Sequence, residues 1–589
     1  ADMSVLQADT INGEMGFTWK GDAPQAMSGR LFVIHTYNSL LMKLLAAEII
    51  SAHGLTTTEQ PAQAMAALLD DTALLRTLNQ DIERADIFVQ AGIHGFVEEA
   101  IFSWYLDVAR NAAHASALLP ALRGVLASLS MYRTDCMTHT RDVLRDLYQG
   151  IVPGKLRQSL GEFYTPDWLV DFTVAKARQG AWLNKRVLDP ACGSGAFLVA
   201  ILRRIRDEAT HAGWDAESIV RHLCTSVWGF DLNPLAVQTA RVNFLMEIAE
   251  LLKAAPGQTL EIPVLLADAI YSPAPDPEKG RDVVKYQIGS QATGLDISLP
   301  AALAFNRIRL DQVFARMGED VENDLDYKEV ETRLCAAGLL NNTEADDWRI
   351  PLQYTYDQIL ALHRRQWNGI WFRVVRNFFW SVTAGHFDCL VGNPPWVRWS
   401  KLPEAYRERV KPTCERYGIF SKNKRHGGNE LDISAMITYT ASDKWLQPNG
   451  RLAFVITGTV FKNPSSAGFR HFMLEPSNAK SLHLAPISVD DMKALKPFND
   501  AANHTTVAIF DKSKNPGTYP VPYRQWHSIP GFTKAIPTGL PLSAVMKRIS
   551  IVEKEAAPVD GQGSPWAVLT KGRFNVLKEL SGKCTWTAG

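Results

Sequence analysis

The chain has 589 residues, 46% of them hydrophobic and 21% charged, with 39 glycines and 31 prolines. At about 150 residues per domain it is long enough for several domains, and its usage excludes a mainly disordered, collagen-like or coiled-coil protein. Its 62 basic and 62 acidic residues cancel, so a nucleic-acid surface has to be a local basic patch rather than a whole-molecule field.

Seven cysteines stand at 136, 192, 224, 335, 389, 414 and 584, with no Cys-x-x-Cys pair. They indicate neither a disulfide framework nor a zinc cluster and suit a reducing cytoplasm. The apolar stretch Leu40 to Ile50 is interrupted by Lys43 and Glu48, and no run is expected to reach the roughly eighteen residues of a membrane span. The opening Ala1 and the closing Trp586-Thr587-Ala588-Gly589 are expected of a fragment of something longer. Leu41, Leu44, Leu45 and Ile49 recur at helical spacing, as do apolar residues through Phe96–Ala112, Pro120–Met131 and Thr138–Tyr148. This predicts an α-helical N-terminal domain over residues 1–155 that acts as a scaffold, with His35 and Tyr37 as packing residues.

From residue 156 to 512 short β-branched segments alternate with helical ones: Arg186–Asp189 then Ala196–Ala209, Val227–Asp231 then Leu235–Leu252, and later strands at Val264–Leu266, Phe387–Val391, Arg451–Thr457 and Thr505–Phe510. Alternation of this kind predicts an α/β domain with a doubly wound, Rossmann-like parallel sheet. The gap between the third and fourth strands far exceeds a βα connection and predicts an inserted subdomain at about 275–385. Its aromatic cluster, Trp367, Trp371, Phe372, Phe378, Phe379 and Trp380, reads as core. Residues 513–589 are proline-rich and irregular, which predicts a linker and the start of a C-terminal region.

The chemistry sits at the strand ends. Val187-Leu188-Asp189-Pro190-Ala191-Cys192-Gly193-Ser194-Gly195 is a strand, a small-residue turn and a helix start. Its glycines admit a ligand to the backbone, and the acid in front suits an ammonium rather than a pyrophosphate. Val227–Asp231 ends on a second acid, placed to accept from two ribose hydroxyls, with Leu232 beside it. Asp268 and Ala269 follow the third strand, where a carboxylate can accept from an adenine amino group. The fourth strand runs into Asn393-Pro394-Pro395-Trp396. Two prolines hold Asn393 extended, so that its amide oxygen and the Pro394 carbonyl can converge on one planar amine, while Trp396 offers a flat face.

In this order the motifs resemble those of the N6-adenine DNA methyltransferases whose cofactor motifs precede the catalytic Asn-Pro-Pro-aromatic motif, of the large restriction-modification or phage-defence type, BREX- or DISARM-like. The resemblance covers residues 155 to 512 and implies S-adenosylmethionine as cofactor. Gly161-Glu162-Phe163-Tyr164-Thr165-Pro166 matches the leading cofactor motif; Asp189, Ala191, Gly193 and Gly195 match the region around the methionyl portion; Asp231 and Leu232 match the ribose site, and Asp268 and Ala269 the adenine site. Asn393, also beside the cofactor, Pro394, Pro395 and Trp396 match the catalytic motif, and Phe498 the late aromatic that stacks with Trp396 on an extruded adenine.

The resemblance implies that the base is flipped from the duplex and that no metal is needed. Its expected partners are double-stranded DNA and, as a further class, other subunits of a defence complex. Lys422, Lys424 and Arg425 in the loop 421–429 are candidate phosphate contacts, a solvated flexible loop being the other reading. Two departures from the family are the long insertion and the missing C-terminal recognition domain. Site recognition is therefore expected chiefly beyond Gly589 or in a partner chain, with DNA methylated weakly or not at all by residues 1–589 alone. No carboxylate-and-lysine cluster suggests a nuclease. Rival readings are a protein-glutamine or RNA methyltransferase, and a catalytically idle DNA-binding subunit.

Overall fold

The computed structural model describes residues 24–97, 102–132, 164–255, 257–275, 282–288, 295–365, 371–420, 431–476, 481–498 and 504–576. Helix α1 (Pro24–Ala52) leads a set of shorter helices, among them Asp71–Thr77, Tyr105–Arg110 and Ala112–Leu129. Ala112–Leu129 begins earlier than the sequence reading placed it and carries Pro120 inside it. Contrary to expectation, it is long and apolar enough to cross a membrane. Its Leu119, Leu122, Leu126 and Leu129 are buried, and Arg123 donates to Asp71 at 2.7 Å. Within the run Phe96–Ala112 one α-helix covers Tyr105–Arg110 and the next begins at Ala112, and Thr138–Tyr148 lies outside the described residues. Tyr37 is 42% exposed, so it does not pack as expected.

Ten strands form the main sheet. In chain order its elements are helix α2 (Asp167–Ala177), strand β1 (Val187–Asp189), α3 (Ala196–His211), α4 (Ala216–Ser226), β2 (Val227–Asp231), α5 (Pro234–Ala254), β3 (Val264–Leu266), β4 (Phe387–Gly392), α6 (Glu404–Arg416), α7 (Ile433–Lys444), β5 (Leu446–Thr457), β6 (His483–Asp491), β7 (Thr505–Ser513), β8 (Val521–Ser528), β9 (Ile549–Pro558) and β10 (Trp566–Thr570). Across the sheet the order is β3-β2-β1-β4-β5-β7-β6-β8-β9-β10. Neighbours from β3 to β5 are parallel, and β7 runs antiparallel to both β5 and β6. The central strands are continuous apolar runs buried on both faces, as parallel strands under helices require. The strand order reverses between β1 and β4, which makes their carboxyl ends the place where such a sheet opens a crevice.

Between β3 and β4 the chain forms a small antiparallel sheet of Ala274–Pro275, Val283–Ile288 and Leu295–Pro300, then the helices Arg307–Glu322, Tyr327–Ala336, Asn342–Arg364 and Trp371–Thr383. Phe372, Phe378, Phe379 and Trp380 are buried there, with Phe378 4.8 Å from Tyr286 and Phe372 5.0 Å from Phe314 between ring centroids. Trp367 lies outside the described residues. Several acids of this region are paired: Asp320 lies against Arg333 at 2.9 Å, and Asp324 against Arg364 at 2.6 Å.

Residues after 512 are not the irregular linker the prolines suggest. β8, β9 and β10 extend the sheet beyond β6. Trp526 of β8 is fully buried, edge-on to Phe172 of α2 at 4.6 Å, and its indole donates to Asp490 at 3.0 Å. Burial of this tryptophan fixes the extension to the helix that follows Thr165 and Pro166.

Candidate active site

Asp189, the last residue of β1, is buried; Oδ1 accepts from the Ala191 N–H at 3.1 Å. Its Oδ2 is buried with no hydrogen-bond partner among the described residues. A Cβ on Gly392 would sit 2.5 Å from Asp189 Oδ1, so only glycine at the end of β4 lets the two strand ends close up. Burial, with the neighbouring Asp231 charge adding to it, pushes the Asp189 carboxyl well above the usual carboxylate range. Asp231 closes β2 and accepts from Gly193 N–H at 2.9 Å and Asn233 N–H at 2.8 Å. These bonds tie the glycine turn to the second strand end, and burial raises this carboxyl too. Gly195 caps α3 at φ +88°, a left-handed conformation that favours glycine. Asn243 of α5 holds the same turn by donating to the Ser194 carbonyl at 2.8 Å.

The third acid is anchored differently. Asp268 Oδ1 accepts from the Ile270 and Tyr271 N–H groups at 2.8 and 3.0 Å and from the Tyr406 hydroxyl at 3.2 Å. Oδ2 is buried without a hydrogen-bond partner among the described residues. Burial raises its pKa, opposed by the Lys444 and Arg409 charges. From α7, Thr440 donates to the Ala269 carbonyl at 2.8 Å and Lys444 to the Ile270 carbonyl at 2.7 Å. Burial brings the Lys444 ammonium down to about 8. Tyr406, Thr440 and Lys444 belong to no motif in the sequence, and only the fold brings them to the Asp268 loop.

Asn393 leaves β4 half-buried, and its Nδ2 donates to Thr165 Oγ1 at 3.1 Å. The bond orients the amide: nitrogen toward Thr165, oxygen as the acceptor end. Pro394 and Trp396 are buried and Pro395 half-buried. The Trp396 indole donates to the Val455 carbonyl at 3.3 Å. The motif is held from below by Ile433 N–H to Val397 O at 2.8 Å and Trp399 N–H to Leu431 O at 2.9 Å.

Trp396 and Phe498 do meet, but not as two slices around a base. Their centroids are 5.1 Å apart with planes at 80°, whereas a base between parallel faces needs roughly 7 Å. In this structure the rings pack edge to face, the geometry two buried aromatics prefer when nothing lies between them. Leu232 is 50% exposed beside Asp231, Ala269 is buried, Tyr164 is half-buried, and Thr165 and Pro166 are buried at the start of α2. Gly161, Glu162 and Phe163, together with Lys422, Lys424 and Arg425, lie outside the described residues.

Residues 139–275 match the family described as N-6 DNA Methylase, and residues 225–485 match the Eco57I restriction-modification methylase family. The two matches overlap over residues 225–275 and together run from residue 139 to residue 485. Between them they contain Asp189, Asp231, Asp268 and Asn393. It is 31% identical over 110 residues, 18% of its length, to the adenine-specific methyltransferase PglX of Streptomyces coelicolor. Those residues make up 9% of that protein, so the chain spans a small part of the curated relative it matches. Among solved structures it is similar to a nuclease-deletion mutant of the Type ISP restriction-modification enzyme LlaGI in complex with a DNA substrate mimic, with TM-score 0.44 and 13% identity over 88% of this chain and 36% of that one. Another is the type I restriction-modification methyltransferase subunit from Streptococcus thermophilus, with TM-score 0.39 and 12% identity over 92% and 89% of the two chains.

Proposed function

We propose that the chain methylates adenine N6 in duplex DNA with S-adenosylmethionine as the donor, in a restriction-modification or phage-defence setting. The observation that carries this reading is the Asn393 amide, oriented by Thr165, beside the buried Asp189 and Asp268 and the half-buried Asp231 at or just after the ends of neighbouring strands. We take the order β3-β2-β1-β4-β5-β7-β6 as a doubly wound, Rossmann-like cofactor sheet built on residues 156–512, with the N-terminal helices as its scaffold. The residues present fit the donor. Gly193 has open space where a side chain would be, the buried Oδ2 atoms of Asp189 and Asp268 lack hydrogen-bond partners among the described residues, and desolvated carboxylates favour a cationic ligand. Asp189 would hold the methionine ammonium end, Asp231 the ribose hydroxyls and Asp268 the adenine amino group, with Tyr164, Thr165, Pro166, Ala191, Gly193, Gly195, Leu232 and Ala269 lining the way.

When bound, the sulfonium supplies an electrophilic methyl group. Adenine N6 is a weak nucleophile because its lone pair is delocalised into the ring. Asn393 Oδ1 and the Pro394 carbonyl accept from the two N6–H bonds and orient the nitrogen toward the donor, a positioning effect. Trp396 gives the extruded base an apolar face, and for Phe498 to add a second one its ring has to swing from the edge-on contact. A flipped base offsets its unstacking cost by such contacts.

The test is labelled methyl donor, enzyme in excess, and separate duplex DNA, RNA and protein acceptors. Label in duplex DNA as N6-methyladenine is the expected result, weak for residues 1–589 alone but above background with enzyme in excess. Label confined to RNA or to protein amides would replace this reading with another acceptor.

A further inference from the structure

β5, β6 and β8 run in the same direction as β4. The segments that follow β6 and β8, residues 492–498 and 529–548, therefore emerge at the sheet edge where β4 delivers Asn393. Neither contains an Asp or Glu, in a chain in which roughly one residue in ten is acidic. They carry Lys493, Lys496, Lys534 and Lys547, all exposed and all without an ion-pair partner among the described residues. Elsewhere the exposed cations are commonly neutralised in place, as Arg349 is by Glu331 and Arg364 by Asp324.

The two segments are joined to each other and to the target-base site. Lys496 N–H donates to the Lys534 carbonyl at 2.8 Å, and Ile536 N–H returns to Lys496 O at 3.4 Å. Two residues after Lys496, Phe498 touches Trp396. The tip of the second segment is a tight turn with Phe532 N–H donating to Ile529 O at 3.2 Å and Gly531 at φ +91°. The Ser528 hydroxyl braces it by donating to Phe532 O at 2.8 Å. This turn presents Phe532, 45% exposed, beneath the Arg548 guanidinium at 5.2 Å.

We propose that residues 492–498 and 529–548 form the duplex-DNA track beside the target base, with Lys493, Lys496, Lys534 and Lys547 on backbone phosphates and Phe532 against a sugar or base edge. The inference rests on the proposed function for its substrate. A duplex that delivers one base to Asn393 has to lay its backbone over the neighbouring loops. Unpaired cations on an acid-free surface are what a phosphate backbone neutralises, with release of its counterions. The strands that carry this surface lie where the sequence suggested a linker, so part of the DNA contact lies within the chain itself.

The test is binding of a fluorescent 20–30 base-pair duplex to the purified chain across a salt series, about the length such a surface would need. The quadruple variant Lys493→Ala/Lys496→Ala/Lys534→Ala/Lys547→Ala should flatten the slope of log K against log salt by about 0.9 for each lysine that lies on a phosphate. Phe532→Ala should weaken binding roughly tenfold without changing the slope. Thermal midpoint and S-adenosylmethionine affinity, measured alongside, should stay at wild-type values. An unchanged slope in the quadruple variant, or a wild-type preference for single-stranded RNA or an acidic polypeptide that the same lysines carry, would overturn the proposal. Lysine-dependent duplex binding without methyl transfer would keep this surface and refute the proposed function. Methyl transfer to DNA with an unchanged slope would do the opposite.

Discussion

Asp189 is a carboxyl kept out of water, with one oxygen bonded to the Ala191 N–H. Because its folded pKa is raised, it stabilises the fold fully below the ordinary carboxylate pKa, and that contribution is lost as pH rises through the folded value. Asp189→Asn keeps the Ala191 bond and removes the titration. In the ligand-free protein the variant is expected to gain thermal midpoint relative to wild type between pH 5 and 8, while S-adenosylmethionine affinity falls roughly ten- to a hundredfold. Scanning calorimetry at the two pH values, with and without the donor, checks both. Thr165→Val removes the acceptor that orients the Asn393 amide. A roughly tenfold loss in turnover, larger than the accompanying loss in donor affinity, is expected, measured as kcat against KM. The acids and the Asn-Pro-Pro-Trp motif were legible because each closes an apolar strand. The roles of Tyr406, Thr440 and Lys444 were not, since they arrive at Asp268 from helices far along the chain. The perpendicular meeting of Trp396 and Phe498 depends on two rings from separate loops, which no spacing rule encodes.

At the scale of elements, β1 to β5 and β7 could be read because buried parallel or central strands are continuous apolar runs. β6 could not: Pro486 interrupts it, and the register with β7 shifts between Pro486 and Ser488, a bulge that absorbs the missing donor. β8 to β10 were hidden for a related reason. Pro522 and Pro558 sit inside or at the end of strands, and Glu553, Lys554 and Glu555 on β9 read as loop charge. The interior of this extension is nevertheless firm. Tyr523 donates to Asp491 at 2.6 Å and Arg524 lies against Asp490 at 2.6 Å. Trp526→Ala should cost about 3–5 kcal/mol, as emptying a fully buried indole site does. Urea unfolding followed by far-ultraviolet circular dichroism measures it; a loss below about 1 kcal/mol would mean that β8 is not part of the cooperative core.

For the whole molecule, zero net charge coexists with strong local asymmetry. Two buried acids, Asp189 and Asp268, and the half-buried Asp231 line the strand ends, where a cationic ligand would relieve them, and acid-free segments carry the cations around the same edge. In the insertion of about 275–385, Asp320 and Asp324 are paired with arginines and Phe372, Phe378, Phe379 and Trp380 are buried, so these rings serve as core rather than as a base-stacking platform. The catalytic claim reduces to one atom, the Asn393 amide oxygen. Its most direct test is a nucleoside digest of duplex DNA after single-turnover incubation with wild type and with Asn393→Ala, both saturated with S-adenosylmethionine. N6-methyldeoxyadenosine from wild type, and at least about a hundredfold less from a variant that binds the donor normally, is the expected result. Equal yields from the two proteins, or none from wild type above the variant, would contradict it.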